Sequence, residues 1–155
     1  MRPAAAAAAL LAAGLLGPPA AAADPSPETV EQLRQPPAGA TADTEYYRGV
    51  RARAIGDWAE AEAAFREVIV RRPDFADAWN ELGYALRHRG RYQDSIDAYG
   101  EALRLRSDFP EALEYLGEAY VKAGRLDDAR RVLGRLRALD PARAEELAEF
   151  IEKGR

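Results

Sequence analysis

The chain offers few side chains suited to chemistry. It has one histidine, His88, and no cysteine. A nucleophilic serine or cysteine needs a histidine base held by a third group, and an isolated imidazole beside Arg87 supplies no such triad. That neighbour favours the neutral imidazole, which leaves at most a proton switch. Zinc sites draw on several His or Cys ligands, and calcium sites on a clustered acidic loop; neither pattern occurs. Asp127 and Asp128 are adjacent, but they fall at a helix start, where negative charge suits the dipole. They read as capping charges rather than a carboxylate dyad. The glycines occur singly, so no loop is built to cradle phosphate. These residues predict no enzyme activity, no metal and no cofactor.

The elements that carry these residues repeat. Shifted by 34 positions, Ala78-Trp79-Asn80-Glu81-Leu82-Gly83 falls on Ala112-Leu113-Glu114-Tyr115-Leu116-Gly117. Gly90-Arg91 falls on Gly124-Arg125, and Asp94-Ser95 on Asp128-Ala129. In the other direction Gly49, Gly56, Ala61 and Phe65 fall under Gly83, Gly90, Ser95 and Tyr99. Each copy reads as two helices. Trp79, Leu82 and Leu86 lie on one helical face, Gly90 ends that helix in the left-handed region, and Tyr92, Ile96, Tyr99 and Leu103 form the apolar face of a partner helix. Gly83 and Gly117 sit in helix interiors, where glycine costs about 1 kcal/mol against alanine. A close crossing by the second helix explains that cost, with Ala61, Ser95 and Ala129 on its other side. Trp79 and Leu113 are expected to fill the wider gaps. After Asp140 as cap and Pro141 as first residue, Leu147, Phe150 and Ile151 form the narrow apolar stripe of one more helix. Three acid-before-base pairs at i, i+4 lie along the helices, Glu62 with Arg66, Glu67 with Arg71 and Asp127 with Arg131, and they read as solvated faces.

From Ala42 to Pro141 the chain resembles the tetratricopeptide repeat, whose pattern is W-x2-L-G-x2-Y, A-x3-F and a closing Pro. Copy three supplies Leu113, Leu116, Gly117, Tyr120, Ala129, Leu133 and Pro141. Copy two supplies Trp79, Leu82, Gly83, Leu86, Ser95, Tyr99 and Ala102, with Ser107 in place of the proline. Copy one has a regular second helix, Trp58, Ala61, Phe65, Val68 and Pro73, but Glu45 and Arg48 stand where large apolar residues are usual. Terminal repeats depart in this way where one face meets solvent. The resemblance implies an all-α fold, a right-handed superhelical solenoid of three helix-turn-helix hairpins at 42–75, 76–109 and 110–141. A capping helix at 142–155 closes it.

It further implies that the first helix of each hairpin lines a concave groove that holds a protein or peptide. The groove positions carried onto this chain are Tyr46, Val50 and Arg53 in copy one. Copy two gives Asn80, Tyr84, Arg87 and His88, and copy three gives Glu111, Glu114, Glu118 and Lys122. Ala54, Asp77 and Val121 also fall on inward positions. Tyr46 and Tyr84 are aromatics that the repeat does not need for its own packing, and such residues give contact area at low entropic cost. Asn80 can donate to and accept from a peptide backbone. Members of the family that bind acidic chaperone tails do so through basic and amide residues. The matching positions here hold Tyr46, Val50, Glu81, Glu111 and Tyr115, none of them basic, which argues against a free carboxylate as ligand.

The first 23 residues carry one charge at Arg2, a short Ala/Leu run and small residues up to Ala23, the order of a secretory signal cleaved before Asp24. The apolar run is too short to span a bilayer, and Pro18-Pro19 ends it. Residues 24–41 hold five of the prolines and glycines and read as a linker, with room for one short helix from Ser26. Without cysteine there is no lipoprotein anchor, so the mature chain is expected free in a bacterial periplasm. A net charge of −4 gives no attraction to nucleic acid or anionic lipid, and neither is expected as partner. Two other roles stay open. One is self-association end to end, through the first helix and the Phe150, Ile151 stripe. The other is service as an accessory subunit of an envelope assembly machine.

Overall fold

In a computed structural model, residues 41–154 are described; the expected signal, the expected linker up to residue 40 and the short helix expected from Ser26 lie outside them. Seven helices follow in order: α1 Ala42–Ala54, α2 Trp58–Arg71, α3 Ala76–His88, α4 Tyr92–Leu105, α5 Pro110–Lys122, α6 Leu126–Leu139 and α7 Pro141–Lys153. The starts of α1, α3 and α5 are 34 residues apart, as are those of α2, α4 and α6. Among the described residues there is no strand, and no helix is long and apolar enough to cross a membrane.

Local chemistry sets the boundaries. Thr41, Asp57 and Asp140 cap α1, α2 and α7 by accepting from the backbone N–H three residues on, at 3.1–3.2 Å. The turns inside the hairpins close on Gly56, Gly90 and Gly124, all in the left-handed region with φ of 74–76°. Phe75 and Phe109 precede α3 and α5 without a side-chain cap, and each ring lies under a guanidinium, Arg72 at 4.2 Å and Arg106 at 3.8 Å.

Each hairpin packs its two helices together and then packs on the next. Gly49 and Gly83 allow the crossing. A Cβ on Gly83 would lie 2.7 Å from the Tyr99 ring, and one on Gly49 2.7 Å from the Phe65 ring. Ser95 reinforces the second crossing by donating its hydroxyl to the Gly83 carbonyl at 2.8 Å. Gly117 differs. Leu133 is too short to fill the place of those rings, and Leu147 of α7 fills it, 2.5 Å from where a Cβ would stand. The capping helix is therefore inserted in the core rather than laid on its end: Leu147 and Ile151 are buried and Phe150 is half-buried. This takes Ile151 off the surface as a self-association contact and leaves Phe150 partly exposed.

Two further expectations change. Glu45 and Arg48 do not face solvent: Glu45 is fully buried and pairs at 2.6 Å with Arg48, which also reaches Glu60. The irregular first helix thus closes with an ionic chain in place of an apolar contact. Nor is Glu62 on a solvated face. It is buried and takes Arg66, Arg89 and Arg91 together. Burial pushes its carboxyl up, but hydrogen bonds from Arg66 and Arg89 and the charges of Arg66 and Arg91 outweigh this and hold it low. Asp127 pairs with Arg130 and Asp128 with Arg131, each one residue closer in register than expected.

Candidate functional site

On one side of the stack α1 packs beside α3, and α3 beside α5. On the other side α2 and α4, and likewise α4 and α6, do not approach one another among the described residues. The first-helix side is the tighter one, which makes it the inner face. All eleven groove positions named from the sequence lie on these three helices.

The centre of the face is Tyr84. Its ring lies 5.2 Å from that of Tyr115, 4.5 Å from His88 and 5.9 Å from Trp58. Arg53 from α1 stands 5.3 Å from the Tyr84 centroid, and Arg87 stands 5.2 Å from it and 5.4 Å from Tyr115. His88 stacks flat on Trp58 at 4.1 Å, which fixes the imidazole at the end of α3. Burial, then the charge of Arg87, lowers its affinity for a proton.

Much of the charge on this face is cancelled within the fold. Arg87 forms an ion pair with Glu118 across α3 and α5, and Glu114 is buried against Arg143 of α7. Burial nevertheless pushes both carboxyls up. Lys122 leans over the Phe150 ring at 5.4 Å, at the far end of the face. Val50 is half-buried against the smaller of two core clusters. Tyr46 packs between Phe65 and Phe75, at 5.7 and 5.2 Å. Asn80 is not solvated: it is 2% exposed, and its Oδ1 has no hydrogen-bond donor. Of the neighbouring inward positions, Val121 is buried in the core, and Asp77 pairs with Arg106 at 2.5 Å.

Three residues of this face were not among the expected groove residues. Tyr115 completes the aromatic cluster, Glu81 faces Arg53 at 3.3 Å, and Trp58 reaches in from a second helix. Tyr115 and Glu81 stand next to inward positions in the helical order, and a helix face about 100° wide takes them in. Trp58 carries no such signal, because only the hairpin crossing brings it to His88. Burial, with Glu111 and Asp77 added and Arg53 opposing, pushes the Glu81 carboxyl up to about 7. Among the described residues no group of three His, Cys, Asp or Glu side chains is arranged to hold a metal.

A stack of helical hairpins with an inner face of rings and paired charges defines an all-α repeat protein. Two tetratricopeptide-repeat family models match, one over residues 46–108 and the other over 86–153. Together they span most of the chain, and the chain belongs to the tetratricopeptide repeat family. Solved structures share the fold. The TPR2B domain of yeast Sti1, solved in complex with an Hsp70 peptide, superposes with a TM-score of 0.70 at 20% identity, over 74% of this chain and 98% of that one. The Arabidopsis OM64 TPR domain gives 0.68 at 17%, over 72% and 94%. The second TPR domain of human RPAP3, in complex with an HSP70 peptide, gives 0.68 at 19%, also over 72% and 94%. No curated protein sequence matches.

Proposed function

We propose that this chain is a protein-interaction module of the bacterial periplasm, which holds a peptide or an extended protein segment against its inner face and acts as an adaptor or scaffold. The observation that carries the reading is the convergence of Arg53, Tyr84, Arg87 and Tyr115 from three successive first helices on one face. Tyrosine and arginine together offer large contact area with few rotors to freeze, the composition of binding hot spots. Similar folds solved in complex with peptides support a peptide as the ligand. The periplasmic location rests on the N-terminal signal pattern alone.

The test is affinity capture from envelope extract with the chain from Asp24 onward, comparing wild type with Tyr84→Ala and with the outer-face variant Asp97→Asn. A protein retained by the wild type and by Asp97→Asn, but lost by a folded Tyr84→Ala, establishes the groove. Equal capture by all three moves the function to another surface. Intact-mass measurement of the exported protein checks cleavage after Ala23.

A second reading has its own observation. Tyr47, Ile55 and Val70, all of the first hairpin, are large apolar residues that are 67%, 82% and 77% exposed. They support self-association through that hairpin. Sedimentation velocity at high concentration decides it: a single monomer boundary removes the idea.

A further inference from the structure

On the outer side of the stack, α4 packs on α3 and α5 and α6 packs on α5 and α7, and neither is covered by a further described helix. Their outward residues sit at matching places in the repeat. Asp97, Gly100 and Glu101 of α4 correspond to Arg131, Gly134 and Arg135 of α6, 34 residues on. Spacings of three and four put each trio on one helical face. Two carboxylates on one outer helix thus stand where two guanidiniums stand on the next. Their present partners are slight. Asp97 accepts from the Gln93 amide at 2.9 Å, Glu101 pairs with Arg104 at 2.8 Å, and Arg131 pairs with Asp128, each about one turn away on its own helix. Arg135 reaches only the Ser107 carbonyl, at 3.3 Å. Exposed pairs of this kind contribute little, so exchanging them costs little.

A second observation is independent of charge. Gly100 and Gly134 are exposed in helix interiors, and nothing lies within 4 Å of where a Cβ would stand on either. Gly49, Gly83 and Gly117 are each required by a side chain of a neighbouring helix, Phe65, Tyr99 and Leu147. The two outer glycines have no such neighbour, yet each weakens its helix by about as much as the inner ones do. They leave bare backbone in the middle of each outer face, beside the charged residues, where another helix can approach closely.

We propose that the outer faces of α4 and α6 form a two-fold interface with a second copy of this chain. A two-fold axis running along the helices, between α4 and α6, lays α4 of each copy on α6 of the other. The two helices are equivalent in the repeat and run the same way, so the rows meet in register. Asp97 and Glu101 then face Arg131 and Arg135 of the second copy, and Gly100 faces Gly134. Both halves of the complementary surface lie on one chain, so the contact is made twice and closes at two copies. At the helix starts Asp94 and Asp128 meet as like charges, each already held by an arginine, Arg91 and Arg125. The groove is on the opposite side and stays open. The dimer therefore carries two grooves, and it does not depend on the groove reading above.

Sedimentation velocity on the chain from Asp24 onward, over a concentration series, reads the association. At low salt the boundary should move from monomer to dimer as concentration rises, and no further. In about 1 M salt, where charges are screened within about 3 Å, the dimer should weaken about tenfold or more. Asp97→Arg with Glu101→Arg should leave a monomer, as should Arg131→Glu with Arg135→Glu. An equimolar mixture of these two variants should restore the dimer, because each now complements the other and neither complements itself. Gly100→Gln with Gly134→Gln should raise the urea midpoint of the fold and still weaken the dimer, a combination that glycines serving only the fold would not give. Tyr84→Ala, and Tyr47→Ser with Val70→Ser, should leave the dimer intact. A monomer at every concentration, a mixture that stays monomeric, or association that survives both charge reversals overturns this interface. Association lost only with Tyr47→Ser and Val70→Ser overturns it too and assigns the contact to the first hairpin.

Discussion

At the scale of single residues, the decisive positions are those where space or charge has no slack. Gly83 has none: an added methyl would sit 2.7 Å from the ring of Tyr99, which is fully buried and cannot swing away. Gly83→Ala gains about 1 kcal/mol of helix propensity and loses more to overpacking, so a net loss of about 1–2 kcal/mol is expected. Urea unfolding measures it, and a midpoint equal to wild type would show that the helices can part at no cost. Glu81 supplies the pH dependence. Its folded carboxyl holds a proton up to about 7, against an ordinary 4.5, because of burial and then Glu111 and Asp77, with Arg53 opposing. Between those values the folded chain binds more protons than the unfolded chain, so this residue's contribution to stability falls as pH rises through the window. Glu81→Gln removes the titration. It should stabilise the protein by on the order of 2 kcal/mol at pH 8 and leave it nearly unchanged at pH 4. A gain of the same size at both pH values would mean the carboxyl is not raised.

At the scale of elements, three ionic stitches span the same sequence separation, two of them in register with the repeat and the third offset from it by three residues. Arg72 pairs with Asp43, Arg106 with Asp77 and Arg143 with Glu114, each 29 residues back. The first two are surface pairs worth little, with both partners more than a third exposed. The third is different because Glu114 is buried. Arg143→Ala leaves that carboxylate without its partner, and a loss of about 2 kcal/mol is expected by thermal or urea unfolding, several times that of Arg72→Ala. The double variant Arg143→Ala with Glu114→Gln should recover most of it; no recovery would assign the loss to the packing of α7 instead. This dependence follows from how α7 is used. One residue, Asp140, separates α6 from α7, where four separate α2 from α3 and α4 from α5. The short connection draws Leu147 over Gly117, and α7 completes the third hairpin.

At the scale of the whole molecule, the described repeats form a chain of neighbours. Helices touch those next to them in the stack and not distant ones, so stability is close to a sum of hairpins and their interfaces. The interfaces are unequal. The larger apolar cluster runs from α3 to α7 and the smaller joins α1 to α4. The first hairpin also buries the charged Glu45 and exposes Tyr47, Ile55 and Val70. Amide hydrogen exchange should therefore be fastest in α1 and α2 and slowest in α4 to α6, with opening that proceeds from the first hairpin inward. Uniform protection along the array would instead indicate one cooperative unit.

The sequence by itself determined the helices, their order and the hairpins. Periodic apolar faces, Gly90 and its equivalents, and the glycine-to-aromatic spacing are local or repeat at 34, so they can be read without coordinates. It also put the eleven expected groove positions on the first helices of the hairpins, because helix phase fixes which side chains share a face. What only the tertiary structure decided is which of those side chains remain available. Arg87 and Glu118 neutralise one another, Arg143 claims Glu114, and Asn80 is buried with an acceptor unfilled. Burial of Glu45 and Glu62 and the entry of Leu147 at Gly117 belong to the same class. Each depends on distances between residues from different helices, set by crossing geometry and side-chain size. Neither is written in the identity of one residue or in the period of the repeat.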